Sequence, residues 1–166
     1  YQLGDVVNIE VTPKNFGRIA AMTAKQVVTQ RLREAERGII YSEYMDKTNE
    51  LVTGTIARIE RGNVFVDIGK IEAILPLNEQ VDGENYEVHN QIRCYVSEVK
   101  NGTKGTQIIL SRSHPGLVKR LFETEVPEIA EGIVEIKSIA REAGSRTKIA
   151  VCSKDPNVDP QGACIG

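Results

Sequence analysis

The chain has 166 residues, of which 40% are hydrophobic and 27% charged, and its formal net charge is -2 at pH 7. This balance excludes wholesale disorder, and the length allows one domain or two to three small ones. The longest uncharged apolar runs fall far short of the roughly 20 residues that cross a bilayer, and no signal segment opens the chain. The composition therefore predicts a cytoplasmic protein without a membrane anchor. The first residue is Tyr1, so we expect the true N-terminus to be missing.

The cysteines and histidines give no sign of a metal or redox site. Cys94, Cys152 and Cys164 are odd in number, widely spaced and without a C-x-x-C pair, which argues against a disulfide framework and a zinc site. We expect all three to be buried small hydrophobic residues. His89 and His114 stand apart from each other and from the cysteines, so both are expected in surface or packing roles. No metal and no cofactor is predicted.

The N-terminal segment changes period near residue 16. The run "VVNIEV" (residues 6–11) alternates as a half-buried strand does, and "TPKN" ends it. From Phe16 to about Tyr44 the apolar residues recur at helical spacing, which predicts one amphipathic helix of about 40 Å, long enough to bridge two bodies. The apolar side of this helix comprises Ile19, Met22, Val28, Leu32, Ala35 and Ile39.

The middle of the chain reads as a small β-barrel. Between Leu51 and about Ser113 helical periodicity gives way to five short β-rich runs, separated by turn residues and one longer polar loop. The runs are "LVTGTIARIE", "NVFVDIG", "IEAILP", "QIRCYVSEV" and "TQIILSR". Five strands in about 60 residues are typical of an OB-type barrel, a fold that binds single-stranded nucleic acid through exposed aromatic and basic side chains.

Six residues of this segment are candidates for such a binding face: Arg58, Phe65, Lys70, Arg93, Tyr95 and Arg112. The two aromatic residues would stack on bases and the four cations would contact phosphates. Phe65 lies among valines, so it can face either the ligand or the interior. Burial of Phe65 would weaken the case for the barrel as the main binding surface.

The last segment predicts a helix, a hairpin and the start of another helix. "PGLVKRLFETEVPEI" has a proline at a helix start, and "IVEIKSIA" and "TKIAVCS" are alternating strands joined through Gly144. Asp159 and Pro160 then suit the N-cap and first position of a helix. The hairpin holds the most basic window of the chain, with Lys137, Arg141, Arg146 and Lys148. It indicates either a phosphate-binding patch or a solvated hairpin.

Several long strings of this sequence resemble the NusA family of bacterial transcription elongation, termination and antitermination factors. They are "FGRIAAMTAKQVVTQRLREAER", "GKIEAILPLNEQ", "SRSHPGLVKRLFETEVPEIAEGIVEIKSIAREAGSRTKIAV" and "VDPQGACIG". The resemblance covers essentially the whole chain, and Met22 and Ser113 stand where Gln and Thr are expected. It implies an α+β multidomain chain with three parts. Residues 1–47 would end a polymerase-binding N-terminal domain with its strand and connecting helix, residues 48–113 would form an S1 RNA-binding barrel, and residues 114–166 would begin the first KH domain, of prokaryotic type.

The resemblance also gives the final stretch, "DPQGACIG", a role. A KH domain grips about four nucleotides with a G-x-x-G loop, and Gly166 matches the first glycine of that loop. Gly162 would lie in the helix that leads to it, where packing alone is the plain alternative. The rest of the loop is absent here, so we expect this KH portion to bind RNA poorly.

The resemblance implies a monomeric RNA-binding regulator with no catalytic residues. Its partners would be nascent single-stranded RNA, RNA polymerase and other termination or antitermination factors, and it would modulate pausing, termination and antitermination. Two alternatives are an RNA-binding module of an RNA-processing enzyme and a protein-docking scaffold. Asp67, Glu72 and Glu79 lie on different predicted strands and loops without a recognisable metal-binding pattern, which argues against an enzyme.

Overall fold

The computed structural model describes Val6, residues 17–102 and residues 105–165. The strand predicted for residues 6–11 therefore lies outside the described residues, apart from Val6. By compactness the chain divides into two units, residues 1–38 and residues 39–166.

The described part of the first unit is helical. Helix α1 runs from Arg18 to Met45, close to the predicted bounds, and its first 21 residues belong to this unit. Within the described residues the predicted apolar side of α1 is open, since Ile19, Met22 and Leu32 are 81%, 63% and 60% exposed. The helical periodicity thus predicted α1 correctly, although the side chains of its apolar side bury little of their surface.

The second unit begins with the end of α1 and a five-stranded barrel. The strands are β1 (Leu51–Glu60), β2 (Asn63–Asp67), β3 (Glu72–Leu75), β4 (Gln91–Gly102) and β5 (Gly105–Ser111). They close in the order β1-β2-β3-β5-β4, with β3 and β5 parallel and every other pair antiparallel. A short 3-10 helix (Leu77–Glu79) follows β3. All five strands predicted from alternation are present.

Alternating apolar residues fill the barrel. Val64, Val66, Leu75, Ile108 and Leu110 are at most 1% exposed and form one core with Ile56 and Val96. Tyr44, the buried residue of α1, joins this core, and its hydroxyl donates to the Ile68 carbonyl at 3.2 Å. Burying large apolar side chains contributes about 1.5–3 kcal/mol each, so the barrel is the main source of stability in this unit.

The rest of the second unit is a smaller α+β layer. It comprises α2 (Pro115–Glu125), α3 (Pro127–Ala130), β6 (Val134–Glu142), β7 (Arg146–Ser153) and α4 (Pro160–Ile165). Strands β6 and β7 pair as an antiparallel hairpin, as predicted. Val126, Ile129 and Val134 form its core, with Phe122 and Val151 packed against them.

The cysteine prediction needs one correction. Cys94 is buried in the barrel, where burial raises the pKa of its thiol to about 12. Cys152 and Cys164, in contrast, are only half-buried. Cys152 lies on the two-stranded β6–β7 hairpin and Cys164 in the six-residue helix α4, and these small elements leave both side chains partly open to solvent. None of the described helices combines the length and hydropathy that a membrane span needs.

Candidate nucleic-acid interface

Phe65 faces outward from strand β2. The burial of that strand alternates, with Val64 and Val66 inside the barrel and Phe65 half-exposed between them. The guanidinium carbon of Arg58 lies 4.0 Å above the centre of the Phe65 ring, a cation–π contact between neighbouring strands. Of the two orientations that the sequence allowed for Phe65, the structure shows the outward one.

The charge of Arg58 is already matched by two carboxylates. Its Nε donates to Glu60 at 2.8 Å, and its Nη1 donates to Glu72. The hydrogen bond to Glu72 is the main reason why the pKa of Arg58 is raised. Because β2 lies between β1 and β3, the Arg58–Glu72 pair bridges the outer side of Phe65's strand. The result is an aromatic ring framed by an ion pair.

A cleft of about 360 Å³ opens beside the ring. Phe65 and Ile74 give it an apolar wall, while Glu72, Thr106 and Gln107 supply polar groups. The pairing of β2, β3 and β5 places these residues on one side of the barrel. A flat apolar ring with a few polar neighbours is the arrangement that stacks on and orients a base.

Lys70 does not join this cluster. It lies in the turn between β2 and β3, where its Nζ donates to Glu43 of α1 at 2.6 Å. This hydrogen bond raises the pKa of Lys70 and lowers that of Glu43. Lys70 therefore ties the end of α1 to the barrel.

Tyr95 is buried, which argues against the predicted base-stacking role. Its side chain is 7% exposed, its ring stacks on His114 with centres 4.6 Å apart, and its hydroxyl donates to Asn49 Oδ1 at 2.9 Å. A Cβ on Gly116 would lie 2.5 Å from the ring, so α2 approaches closely here. One face of the ring is stacked on His114 and its hydroxyl end lies against Gly116, so Tyr95 packs between the barrel and the start of α2.

Arg112 is likewise internal rather than free for phosphate. Its Nε and Nη2 donate to Glu84 at 2.8 Å and 2.5 Å, and its Nη1 donates to the Arg93 carbonyl at 2.6 Å. The hydrogen bond to Glu84 raises the pKa of Arg112. Arg93 itself stays at the surface and pairs with Glu125 at 3.2 Å. A phosphate would have to displace a chelating carboxylate to reach Arg112.

The basic residues of the β6–β7 hairpin have mostly local partners. Lys137 pairs with Glu135 at 2.5 Å, and Arg146 lies 3.4 Å from Glu142. Hydrogen bonds from Lys137 and Lys154 lower the pKa of Glu135 to about 2.

Arg141 and Lys148 differ from the other cations of the hairpin. Arg141 donates to the His114 carbonyl at 2.8 Å, and burial lowers its pKa. Within the part of the chain that the structure describes, Lys148 is exposed and has neither a hydrogen bond nor an ion pair.

The tip of the hairpin lies against the barrel. Gly144 has φ +78°, and a Cβ there would lie 2.9 Å from Val81 Cγ1 and 3.0 Å from the Asp82 carbonyl. Beside this contact, a cleft of about 520 Å³ lies between the hairpin and residues 81–84. Its lining includes Glu84, Arg141 and Arg146. The hairpin is therefore fixed at its tip rather than freely solvated.

Helix α4 begins as predicted. Asp159 accepts hydrogen bonds from the backbone nitrogens of Gln161 at 3.2 Å and Gly162 at 3.0 Å, which is N-cap geometry. A Cβ on Gly162 would meet the Asp159 carboxylate at 2.9 Å, so this glycine serves the cap. Gly166 lies outside the described residues.

Sequence reasoning missed the carboxylates that surround these cations. Glu72 and Glu84 are the two most informative, because they decide what Arg58 and Arg112 can bind. Alternation within "IEAIL" placed Glu72 on the outer side of its strand, which was the available signal. Among the described residues no group of three or more His, Cys, Asp or Glu side chains could hold a metal ion.

Comparison with known families covers nearly the entire chain. The NusA N-terminal domain matches residues 1–38, the S1 RNA binding domain residues 45–113, and the NusA-like first KH domain residues 112–166. The three matches follow one another in sequence order.

Curated relatives match the chain from end to end. The transcription termination/antitermination protein NusA of Bacillus subtilis (strain 168) is 60% identical over 166 residues, which are 100% of this chain and 45% of that protein. The proteins of the same name from Halalkalibacterium halodurans and Thermus thermophilus are 58% and 49% identical, over 100% and 99% of this chain and 44% and 43% of theirs. The chain thus spans less than half the length of these relatives. The solution structure of GSP13 from Bacillus subtilis aligns at 17% identity over 58% of this chain and 75% of that one, with a TM-score of 0.35.

Proposed function

The chain belongs to the NusA family, and from that premise we propose that it is the RNA-contacting segment of a transcription elongation factor. The observation that carries this proposal is the match of three family models, in order, along a chain that is 60% identical to a NusA protein throughout. In this proposal residues 1–47 contribute to docking on RNA polymerase. Residues 48–113 form an OB-type S1 barrel, and residues 114–166 begin the first KH domain.

In the proposed mechanism the barrel and KH portion hold nascent single-stranded RNA as it leaves the polymerase. The factor has no catalytic step of its own. It modulates pausing, termination and antitermination by directing the path of the nascent RNA. It acts as a cytoplasmic monomer to which other antitermination factors can bind. Phe65 stacks on a base, and Arg58 lies against the ring and holds Glu72 beside it. Lys148 and Arg141 supply the main phosphate contacts of the hairpin. Lys137 and Arg146 on the hairpin and Arg93 on β4 add further contacts when they exchange their carboxylate partners for phosphate.

The sharpest test of RNA binding is a substitution of Phe65, the half-exposed ring on β2. Stacking of one base on an aromatic side chain contributes about 1–3 kcal/mol, so Phe65→Ala should weaken binding of a labelled single-stranded RNA about 5- to 150-fold. Fluorescence anisotropy of the 166-residue chain with an RNA octamer measures this. Leu77→Ala is the matched control, because Leu77 is also an apolar side chain of the barrel region and is 66% exposed.

The control should bind RNA as the unchanged chain does. Equal binding by Phe65→Ala and the unchanged chain would remove the barrel ring from the interface. If the unchanged chain showed no binding to any single-stranded RNA, the RNA-contacting role itself would fall, and a docking scaffold would be the better reading.

A further inference from the structure

Among the described residues that line the cleft beside Phe65, the one charged side chain is Glu72. Arg58, which lies over the Phe65 ring, pairs with Glu72 and with Glu60, so these three side chains together have a charge of -1. Phosphate binding requires an excess of cations, and the described lining of the cleft contains no cation. This described lining therefore suits a base better than a phosphate.

Glu72 lines the cleft with an acceptor that is held in place. Its Oε2 accepts from Arg58, which fixes the carboxylate at the edge of the stacking ring. Its Oε1 has no hydrogen-bond partner among the described residues, and the side chain is 41% exposed. An ionised carboxylate accepts hydrogen bonds and cannot donate them. A base that enters the cleft thus meets a fixed acceptor.

Cytosine and uracil differ in the hydrogen-bonding group that they present to such an acceptor. Cytosine presents an amino group at C4, and Glu or Asp side chains accept from that group in known base contacts. Uracil presents a carbonyl oxygen at the same position, which a carboxylate repels. Its N3–H is a donor, but two carbonyl oxygens flank it, so a carboxylate that accepts from N3–H also lies close to them. Both rings have the same size, so their stacking on Phe65 is nearly equal, and the hydrogen bond decides between them.

We propose that the Phe65 cleft reads single-stranded RNA bases and that Glu72 selects amino-bearing bases, cytosine over uracil. This inference rests on the proposed RNA binding and adds the determinant of base preference. Arg58 acts as a positioning residue, since it orients Glu72 and covers one face of Phe65.

The test compares two RNA octamers, rC8 and rU8, by fluorescence anisotropy with the 166-residue chain at pH 7.5. The unchanged chain should bind rC8 about three- to tenfold more tightly than rU8, a difference somewhat below that of a bidentate base contact. Glu72→Gln should bring the ratio to about one, because the amide can accept from the cytosine amino group and also donate to the uracil carbonyl. Glu131→Gln, which removes an exposed carboxylate at the end of α3, should leave the ratio unchanged.

Three outcomes would overturn the inference. A ratio near one in the unchanged chain means that the cleft does not read the base. If Glu72→Gln kept the preference for rC8 over rU8, another residue would have to determine it. An equal gain in affinity for both octamers in Glu72→Gln shows that Glu72 acts through its charge alone. Binding of neither octamer by the unchanged chain is a separate result, because it removes the proposed RNA-contacting role as well.

Discussion

Arg112 and Arg93 meet carboxylates in very different surroundings. The Arg112–Glu84 side chains are 21% and 30% exposed, whereas those of Arg93 and Glu125 are 55% and 65% exposed. Removing one partner of a fully buried ion pair leaves an uncompensated charge and lowers the free energy of unfolding by about 3–5 kcal/mol. An exposed pair contributes about 0–1 kcal/mol. We therefore expect Arg112→Gln to lower the free energy of unfolding by about 2–4 kcal/mol in urea titrations, and Arg93→Gln, the control, to change it little.

The same pair gives a pH dependence with a definite sign. Burial by itself raises the pKa of Glu84, but hydrogen bonds from Arg112 and Tyr86 outweigh it and leave the pKa below its ordinary value. The pair's stabilisation is then complete above the unfolded pKa of about 4.3 and is lost as the pH falls through the lower folded pKa. The gap between Arg112→Gln and the unchanged chain should shrink below about pH 4. An equal gap at pH 3 and pH 7 would contradict this assignment.

At the scale of an element, the β6–β7 hairpin is fixed by its turn glycine. Gly144 and Gly132 have nearly the same φ, +78° and +77°, but a Cβ on Gly132 would meet nothing within 4 Å. Alanine in a left-handed conformation costs about 1 kcal/mol, so Gly132→Ala measures that strain alone. Gly144→Ala adds a clash with Val81 and Asp82 and should lower the free energy of unfolding by at least about 1 kcal/mol more. Equal losses in the two variants would mean that the tip does not press on the barrel.

The elements also show how far sequence patterns reach. Alternation and helical spacing gave α1, the five barrel strands and the hairpin, because each period is set by neighbours two to four residues apart. The ion pairs of Arg112, Lys70 and Arg93 were missed because their partners are distant in sequence. Glu84 lies 28 residues from Arg112, Glu43 lies 27 from Lys70, and Glu125 lies 32 from Arg93. A basic residue can be seen in a sequence, but whether its charge is free depends on tertiary neighbours.

At the scale of the whole molecule, these pairs lower the charge available for RNA. The sequence offered eight basic residues as phosphate contacts, and contact by all eight would give a salt slope of about -5.6 for a single strand. Five of them have a carboxylate within 4.0 Å in exposed surroundings or at the rim of the barrel, and Arg112 is internal. A phosphate that replaces a carboxylate partner leaves that carboxylate unpaired beside it. Such exchanges neutralise little net charge.

We therefore expect RNA binding by this chain to depend only weakly on salt. With Lys148 and Arg141 as the main contributors, the slope of log affinity against log salt should lie between about -0.7 and -2. Anisotropy titrations from 50 to 300 mM salt measure it. Lys148→Gln should flatten the slope by about 0.7, whereas Arg146→Gln, a control at the same hairpin whose cation already pairs with Glu142, should change it less. A slope near -5 would show that the ion pairs open on binding and that the phosphate backbone, not the Phe65 cleft, dominates affinity.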